Sequence, residues 1–365
     1  MRPALDRMSA GPSENENLGL AEEAGLRYVS DEQRGYTRRR AGKGFCYYDT
    51  RGERITAPGT LQRIKSLVIP PAWTEVWISP HPRGHIQVTG RDARGRKQYI
   101  YHPDWHAMRD REKFTKILAF ARALPAIRQA VAREMRQRTL NRRTVTATVV
   151  RLLETTLIRV GNREYAAENE SYGLTTLCRR HVEIHGTRVK FDFIGKGGKR
   201  HLVALTDRSA IRIIRQLQEL PGQELFQYLD EDGNPRTLGS ADVNTYLHEI
   251  TGDNFTAKDF RTWGGTVLAA WALADLETFS SKTELRRNIS AAVKTVARQL
   301  GNTPAVCRSS YIHPEVIAAY ENGLLPAILR QETGSIVKQE IEGLACAEAA
   351  VFLLLRDQLE SQDAA

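Results

Sequence analysis

Cysteine is scarce in this 365-residue chain. Cys46, Cys178, Cys307 and Cys346 lie far apart and form no Cys-x-x-Cys pair. A zinc ribbon or finger is therefore excluded, and reduced thiols in the cytoplasm are the expectation. No run of 18 apolar residues occurs, so no transmembrane helix is available. The N-terminal stretch has no apolar segment of the kind a signal peptide needs. No G-x-x-x-x-G-K-[ST] occurs either, and nothing indicates a P-loop ATPase. The nearest glycine-rich lysine loop, Gly195-Lys-Gly-Gly-Lys199, has the wrong spacing and sits between strands. Histidine pairs four apart (His81/His85, His102/His106, His181/His185) bracket prolines or fall in a strand. None offers a two-ligand helical face, so no metal site and no cofactor are expected. The acidic run Asp230-Glu-Asp-Gly-Asn-Pro reads as a turn.

Charge, by contrast, is abundant and uneven. There are 53 Lys and Arg against 43 Asp and Glu, a formal net of +10. Between Arg83 and Arg143 there are 16 basic and 5 acidic residues, whereas residues 331–365 hold 2 basic and 7 acidic. One stretch thus carries a surplus as large as the whole chain's. A polyanionic partner is the inference, with nucleic acid the leading candidate.

The apolar pattern divides the chain. Residues 1–25, rich in Ser, Gly, Pro, Asn and Glu, read as a disordered leader. Residues 26–108 show short apolar runs broken by turn signals: Gly44–Tyr48, Thr74–Ile78, His85–Thr89 and Lys97–Tyr101. These predict a small antiparallel β-sheet domain, with one short helix near Gly59–Leu67. From 109 to 330 the period becomes helical. Helices are predicted around Phe114–Leu124, Arg143–Val160, Asp207–Leu220, Ser240–Ile250, Ala257–Leu276 and Leu285–Leu300. Val182–His185, Val189–Phe193 and His201–Leu205 interrupt them as a three-stranded antiparallel piece. Residues 331–365 read as an acidic helical tail. The fold class is α+β, a small N-terminal sheet domain followed by a mostly helical domain with an embedded three-stranded sheet.

Several segments of the second region stand in a telling order: Ile158-Arg-Val-Gly-Asn162, Ser171-Tyr-Gly-Leu-Thr-Thr-Leu177, Phe193-Ile-Gly-Lys196, Lys258-Asp-Phe-Arg-Thr-Trp263, Leu300-Gly-Asn-Thr-Pro304 and Arg308-Ser-Ser-Tyr311. Gly95-Arg-Lys-Gln-Tyr-Ile-Tyr101 precedes them. This ordered set resembles the type IB DNA topoisomerases, in their compact poxvirus-like and bacterial branch. The resemblance covers about residues 26–325.

What the resemblance implies is specific. Tyr311 attacks a DNA phosphodiester and forms a covalent 3′-phosphotyrosine. One strand is nicked, the duplex swivels, and the 5′-hydroxyl reseals it without ATP. Arg159 and Arg261 clamp the phosphoryl oxygens, a task that suits the planar guanidinium fork. Lys196 matches the family's general acid for the leaving oxygen. Asn302 stands where many relatives have histidine; its amide donates a hydrogen bond but carries no charge. A free tyrosine has a pKa of about 10, so Tyr311 needs help to ionise. Lys97, Gln98, Tyr99, Tyr101, Tyr165 and Lys258 match DNA-contacting positions. Strand alternation puts Tyr99 and Tyr101 on one face, and Lys258 stands one helical turn before Arg261. The implied protein is a monomeric two-lobed clamp on duplex DNA, in the cytoplasm at the bacterial nucleoid, with no membrane partner.

Two other readings compete. A tyrosine site-specific recombinase shares the Arg, Lys, Arg, Tyr order. Recombinases typically show His-x-x-Arg at the second arginine, where this chain has Lys258-x-x-Arg261. A non-catalytic DNA-binding protein is the other, and the presence of Arg159, Lys196, Arg261 and Tyr311 together speaks against it.

Overall fold

The structure, a computed structural model, describes residues 14–42, 44–276, 279–332 and 343–363. The chain forms two compact units, Gly11–Phe114 and Thr115–Ala365.

The first unit begins with a helix, α1 (Glu14–Glu23). This corrects the expectation of a structureless leader over that stretch, while residues 1–13 lie outside the described residues. α1 forms because Ala21 is driven out of water with Leu26 and Trp105, a small apolar cluster. An antiparallel sheet follows: β1 (Tyr36–Ala41), β2 (Gly44–Tyr48), β3 (Thr74–Ile78), β4 (Ile86–Arg91) and β5 (Lys97–Tyr101), in the order β2-β1-β3-β4-β5. Between β2 and β3 runs α2 (Pro58–Ser66), whose Ile64 packs on Val76, Ile78 and Val88 of the sheet. Strand β1 carries three consecutive arginines and no apolar alternation, so the sequence pattern does not announce it. The structure shows why it holds. The Arg38 guanidinium lies over the Phe45 ring of β2 at 4.1 Å and donates to the carbonyls of Ile69, Pro70 and Trp73. Arg39 lies over Tyr48 at 4.5 Å. Cation–π contacts and carbonyl acceptors replace the missing apolar pairs.

The division between the units falls within α3 (Pro103–Glu134). The second unit continues with α4 (Arg142–Thr156), α5 (Arg163–Asn169), β6 (Val182–His185), β7 (Arg188–Gly195), β8 (Lys199–Leu205), α6 (Arg208–Glu219), β9 (Gln227–Leu229), β10 (Pro235–Thr237), α7 (Ser240–Thr251), α8 (Ala257–Ala274), α9 (Lys282–Leu300), α10 (Pro304–Tyr311), α11 (Pro314–Glu321), α12 (Leu325–Glu332) and α13 (Cys346–Asp363). β6, β7 and β8 form the antiparallel sheet, with Phe193 opposite His201. Val189, Phe191 and Phe193 alternate into the core. The acidic run after β9 is a turn, where Asp230 Oδ1 accepts from the backbone N–H of Asp232 and Asn234.

One expectation changes. The helix from Arg143 stops at Thr156, four residues early, because Leu157 adopts φ 56° and turns the chain. The acidic C-terminal segment packs into the fold over its described part. Ala349–Leu355 are buried in the same core as α8. Glu348 accepts from Arg128 at 2.8 Å and from the Trp263 indole at 3.2 Å. Arg128 also meets Glu154 at 2.6 Å, and Arg151 joins Glu154 to Asp207. Alternating charges thus tie α3, α4, the start of α6 and α13 together. Residues 333–342 of the expected tail lie outside the described residues.

A buried histidine makes the first unit sensitive to acid. His85 stacks on Tyr28 at 4.2 Å and meets Trp105 edge-on at 4.8 Å. Its Nδ1 accepts from the Val29 N–H at 3.0 Å, so that nitrogen is unprotonated. Burial lowers its pKa to about 4. The unfolded chain therefore takes up this proton first, and the stability His85 gives is present above pH ~6.5 and lost as pH falls toward 4. Thermal melts between pH 7 and 4 should show a decline that His85→Gln reduces. An unchanged decline in that variant rules out this cause.

Candidate active site

The end groups of helices build the site. α8 starts cleanly because Asp259 Oδ2 accepts from the backbone N–H and hydroxyl of Thr256 at 2.7 and 3.0 Å, closing the first turn. One turn in, Arg261 is 3% exposed. Its Nη1 donates to the carbonyl of Leu157 and its Nη2 to that of Leu300 at 2.9 Å. Those carbonyls close α4 and α9. They belong to the acceptors a helix leaves open at its C-terminal end, where the dipole also favours a cation. A single guanidinium thereby joins three helices.

Arg159 stands three residues past the end of α4. Leu157, itself 6% exposed, holds a left-handed backbone that a leucine adopts only under constraint. The segment after it is pinned by Leu174 N–H to Arg159 O at 2.9 Å and Thr175 N–H to Val160 O at 2.7 Å. Arg159 Nη2 donates to Asn302 Oδ1. The amide Nδ2 of Asn302, a residue only 8% exposed, is left without a partner among the described residues.

Tyr311 ends α10, a helix opened by Thr303 as cap and Pro304 in its first turn. It comes close to α8 because residue 265 is glycine; a Cβ there would lie 2.7 Å from Tyr311 O. Lys196 sits at the β7–β8 tip, where Gly197 and Gly198 take φ of 79° and 73°. Arg159, Lys196, Lys258, Arg261 and Tyr311, drawn from four distant stretches, all line one cavity of about 310 Å³, together with Tyr172. A larger groove of about 460 Å³ along α9 and α10 includes none of them.

The electrostatics are one-sided. Among the described residues, no carboxylate pairs with Arg159 or Arg261. Burial lowers the pKa of both, and at Arg159 the charge of Arg261 adds to it. For Tyr311, burial alone would raise the phenol's pKa. The charge and hydrogen bond of Arg261 outweigh it, with Arg159 and Lys258 adding to the effect, and the pKa is lowered. The Arg261 guanidinium carbon lies 5.0 Å from the Tyr311 ring centre. Below the site Cys307 is buried, and its thiol is pushed up to about 11. The arrangement holds an anion between arginines and favours an ionised phenol beside it.

Comparison with known proteins agrees. The profile of the eukaryotic DNA topoisomerase I catalytic core matches residues 102–329, and that of the bacterial DNA topoisomerase IB N-terminal domain matches residues 44–92. DNA topoisomerase 1B of Acanthamoeba polyphaga mimivirus is 34% identical over 79% of this chain and 88% of its own length. The chain belongs to the type IB DNA topoisomerases. DNA topoisomerase 1B of vaccinia virus (strain Copenhagen) is 23% identical over 62% of this chain and 70% of its own. Rabbit fibroma virus (strain Kasza) DNA topoisomerase 1 is likewise 23% identical, over 71% and 81%. The protein is accordingly an isomerase of DNA topology. No helix among the described residues is long and apolar enough to cross a membrane.

The remaining DNA-contact candidates of this topoisomerase divide. Lys97, Tyr99 and Tyr101 share one face of the edge strand β5; the two tyrosine rings stack at 5.8 Å, and Lys97 lies over Tyr99 while pairing with Asp31. Gln98 falls on the other face, and its amide donates to Asp92 at 3.0 Å. Tyr165 belongs to α5, and its side chain lies outside the described residues. Sequence reasoning missed Leu157, Lys199, His201 and Gly265. The only signal for them was their place within or beside the motifs.

The cation-over-phenol geometry is testable directly. The ultraviolet phenolate absorbance of Tyr311 is taken as the difference between wild type and Tyr311→Phe. In an Arg261→Leu background the midpoint should move to higher pH, because burial then acts with less opposition. No upward shift would mean that Arg261 does not set the ionisation.

Proposed function

We propose that this topoisomerase relaxes supercoiled duplex DNA by transient cleavage of one strand through Tyr311. Supporting this reading is the convergence of a phenol with lowered pKa, two uncompensated arginines and two lysines on one cavity. The Tyr311 oxygen attacks phosphorus in line, a P–O bond to tyrosine forms, and the bond from phosphorus to the 5′ oxygen breaks. Negative charge spreads over the non-bridging oxygens. Arg159, Arg261 and the free Nδ2–H of Asn302 are donors placed to receive it. The departing 5′ oxygen, otherwise a strongly basic alkoxide, takes a proton from Lys196. While the 3′ phosphate is held on Tyr311 the duplex swivels. The 5′-hydroxyl then attacks phosphorus, returns its proton to Lys196 and expels the phenol oxygen. Because the phosphotyrosine conserves the bond, the cycle needs no nucleotide hydrolysis.

Lys258, in the first turn of α8, lines the same cavity and is read as a further phosphate contact, and Lys97, Tyr99 and Tyr101 as a second contact surface for the duplex. We read the enzyme as a cytoplasmic monomer. Membership of the topoisomerase family and Lys258 three residues before Arg261 favour relaxation over site-specific recombination.

Supercoiled plasmid incubated with the protein in EDTA and without ATP should relax. Tyr311→Phe should abolish both relaxation and the covalent 3′-linked adduct. Arg159→Ala and Arg261→Ala should each lose about 10²–10³-fold in cleavage rate. An adduct that persists in Tyr311→Phe removes the tyrosine from this role.

A further inference from the structure

The hairpin that carries Lys196 and the turn that carries Asn302 belong to different parts of the chain, yet the proposed reaction needs both at one phosphate. Two side chains of the hairpin meet that turn. Lys199 Nζ donates to the carbonyl of Asn302 at 2.8 Å. His201, on β8 opposite Phe193, lays its ring flat on the Phe193 ring, with centres 5.1 Å apart and planes 7° apart. The edge of the imidazole fills the space beside two glycines. A Cβ at Gly195 would lie 2.6 Å from His201 Cδ2, and one at Gly301 would overlap Cε1. Gly195 immediately precedes Lys196, and Gly301 immediately precedes Asn302. One ring therefore fills the gap between the residues that set the direction of the two functional side chains.

We propose that His201 is a positioning residue of this topoisomerase: its ring is the wedge that seats the Lys196 hairpin on the Asn302 turn. The inference rests on the reading of Lys196 as proton donor to the 5′ oxygen. His201 acts through shape, as a neutral ring. Burial first, then the charges of Arg159, Arg261 and Lys199 around it, lower its pKa to about 4. It holds no proton to give at neutral pH, so a direct acid role falls to Lys196. An ordinary core histidine would also be buried and stacked. What sets this one apart is that both glycines it touches adjoin residues of the site.

The test uses two cleavage substrates, an ordinary duplex and one with sulfur in place of the bridging 5′ oxygen at the scissile phosphate. A thiolate, whose conjugate acid has a pKa of about 8.5, leaves without a proton. Lys196→Ala should lose about 10²–10⁴-fold on the ordinary duplex and recover on the sulfur substrate. His201→Ala should lose up to about 10²-fold on the ordinary duplex, the scale of a misplaced group, with DNA affinity nearly unchanged, and recover likewise on sulfur. His201→Phe keeps a flat ring on Phe193. It should retain more of the ordinary rate than His201→Ala, and its remaining defect should vanish on sulfur.

Normal cleavage of ordinary DNA by His201→Ala overturns the proposal. So does a defect of both His201 variants that sulfur leaves in place while it rescues Lys196→Ala. Failure of sulfur to rescue Lys196→Ala removes the proton-donor reading itself, and the positioning role falls with it.

Discussion

A buried guanidinium with no carboxylate paired to it among the described residues is the constraint around which the helical unit is arranged. Taking a cation out of water is expensive, and the usual remedy is an anionic partner. Arg261 is instead held by carbonyl oxygens at the ends of α4 and α9. Carbonyls satisfy its N–H groups and bring the negative ends of two helix dipoles, but they do not cancel its charge. The uncancelled field reaches Tyr311 and Arg159. The same hydrogen bonds fix where α4 stops, and hence where Arg159 projects. Charge placement and chain direction are one problem here, with one solution.

The arginines elsewhere in this unit make the contrast clear. Arg128 and Arg151 lie in an alternating series with Glu154, Glu348 and Asp207, and their pKa values are raised once hydrogen bonds and opposite charges outweigh burial. Those arginines hold helices together and present little net field. Arg159 and Arg261 have lowered pKa values because burial, deepest at Arg261, acts with no anion among the described residues to oppose it. On the function proposed above, the distinction is one of charge: every arginine here braces the fold, but Arg159 and Arg261 keep a charge that a phosphate would answer. The C-terminal helix belongs to the alternating series, and through Trp263 and Trp271 it grips α8, which carries Arg261.

Much of this was legible in the sequence, and the limits have physical causes. The strands with period-two patterning and the long helices declare themselves because one face of each is buried. The site residues were legible through ordered motifs, since chemistry restricts residue type more tightly than packing does. β1 was not legible, because its arginines are held by ring faces and carbonyls rather than by apolar pairing. The end of α4 at Leu157 was hidden, since a left-handed cap is read from glycine and here tertiary packing forces a leucine into it. α1 was hidden by its polar composition, and only Ala21 among its residues of described burial is buried. Gln98 shares a strand with Tyr99 and Tyr101 but takes the opposite face, which follows from strand alternation. His201 carries no signature, because its role rests on two glycines from different segments.

The asparagine at 302 follows from the same field. An imidazole at that place would invite a role in proton transfer. His201 shows how an imidazole fares in these surroundings: burial and the charges of Arg159, Arg261 and Lys199 hold it neutral at physiological pH. A histidine at 302, against the Arg159 guanidinium, would meet that cation at a site more buried than that of His201. It would offer the phosphate one neutral N–H and nothing more. Asn302 offers the same N–H from Nδ2, while its carbonyl oxygen does what a neutral imidazole nitrogen does for Arg159. On the proposed reading, exchange between the two residues should therefore cost the reaction little as long as the arginines stay uncompensated. A carboxylate introduced nearby would cancel the field at Tyr311 and remove the reason the exchange is tolerated.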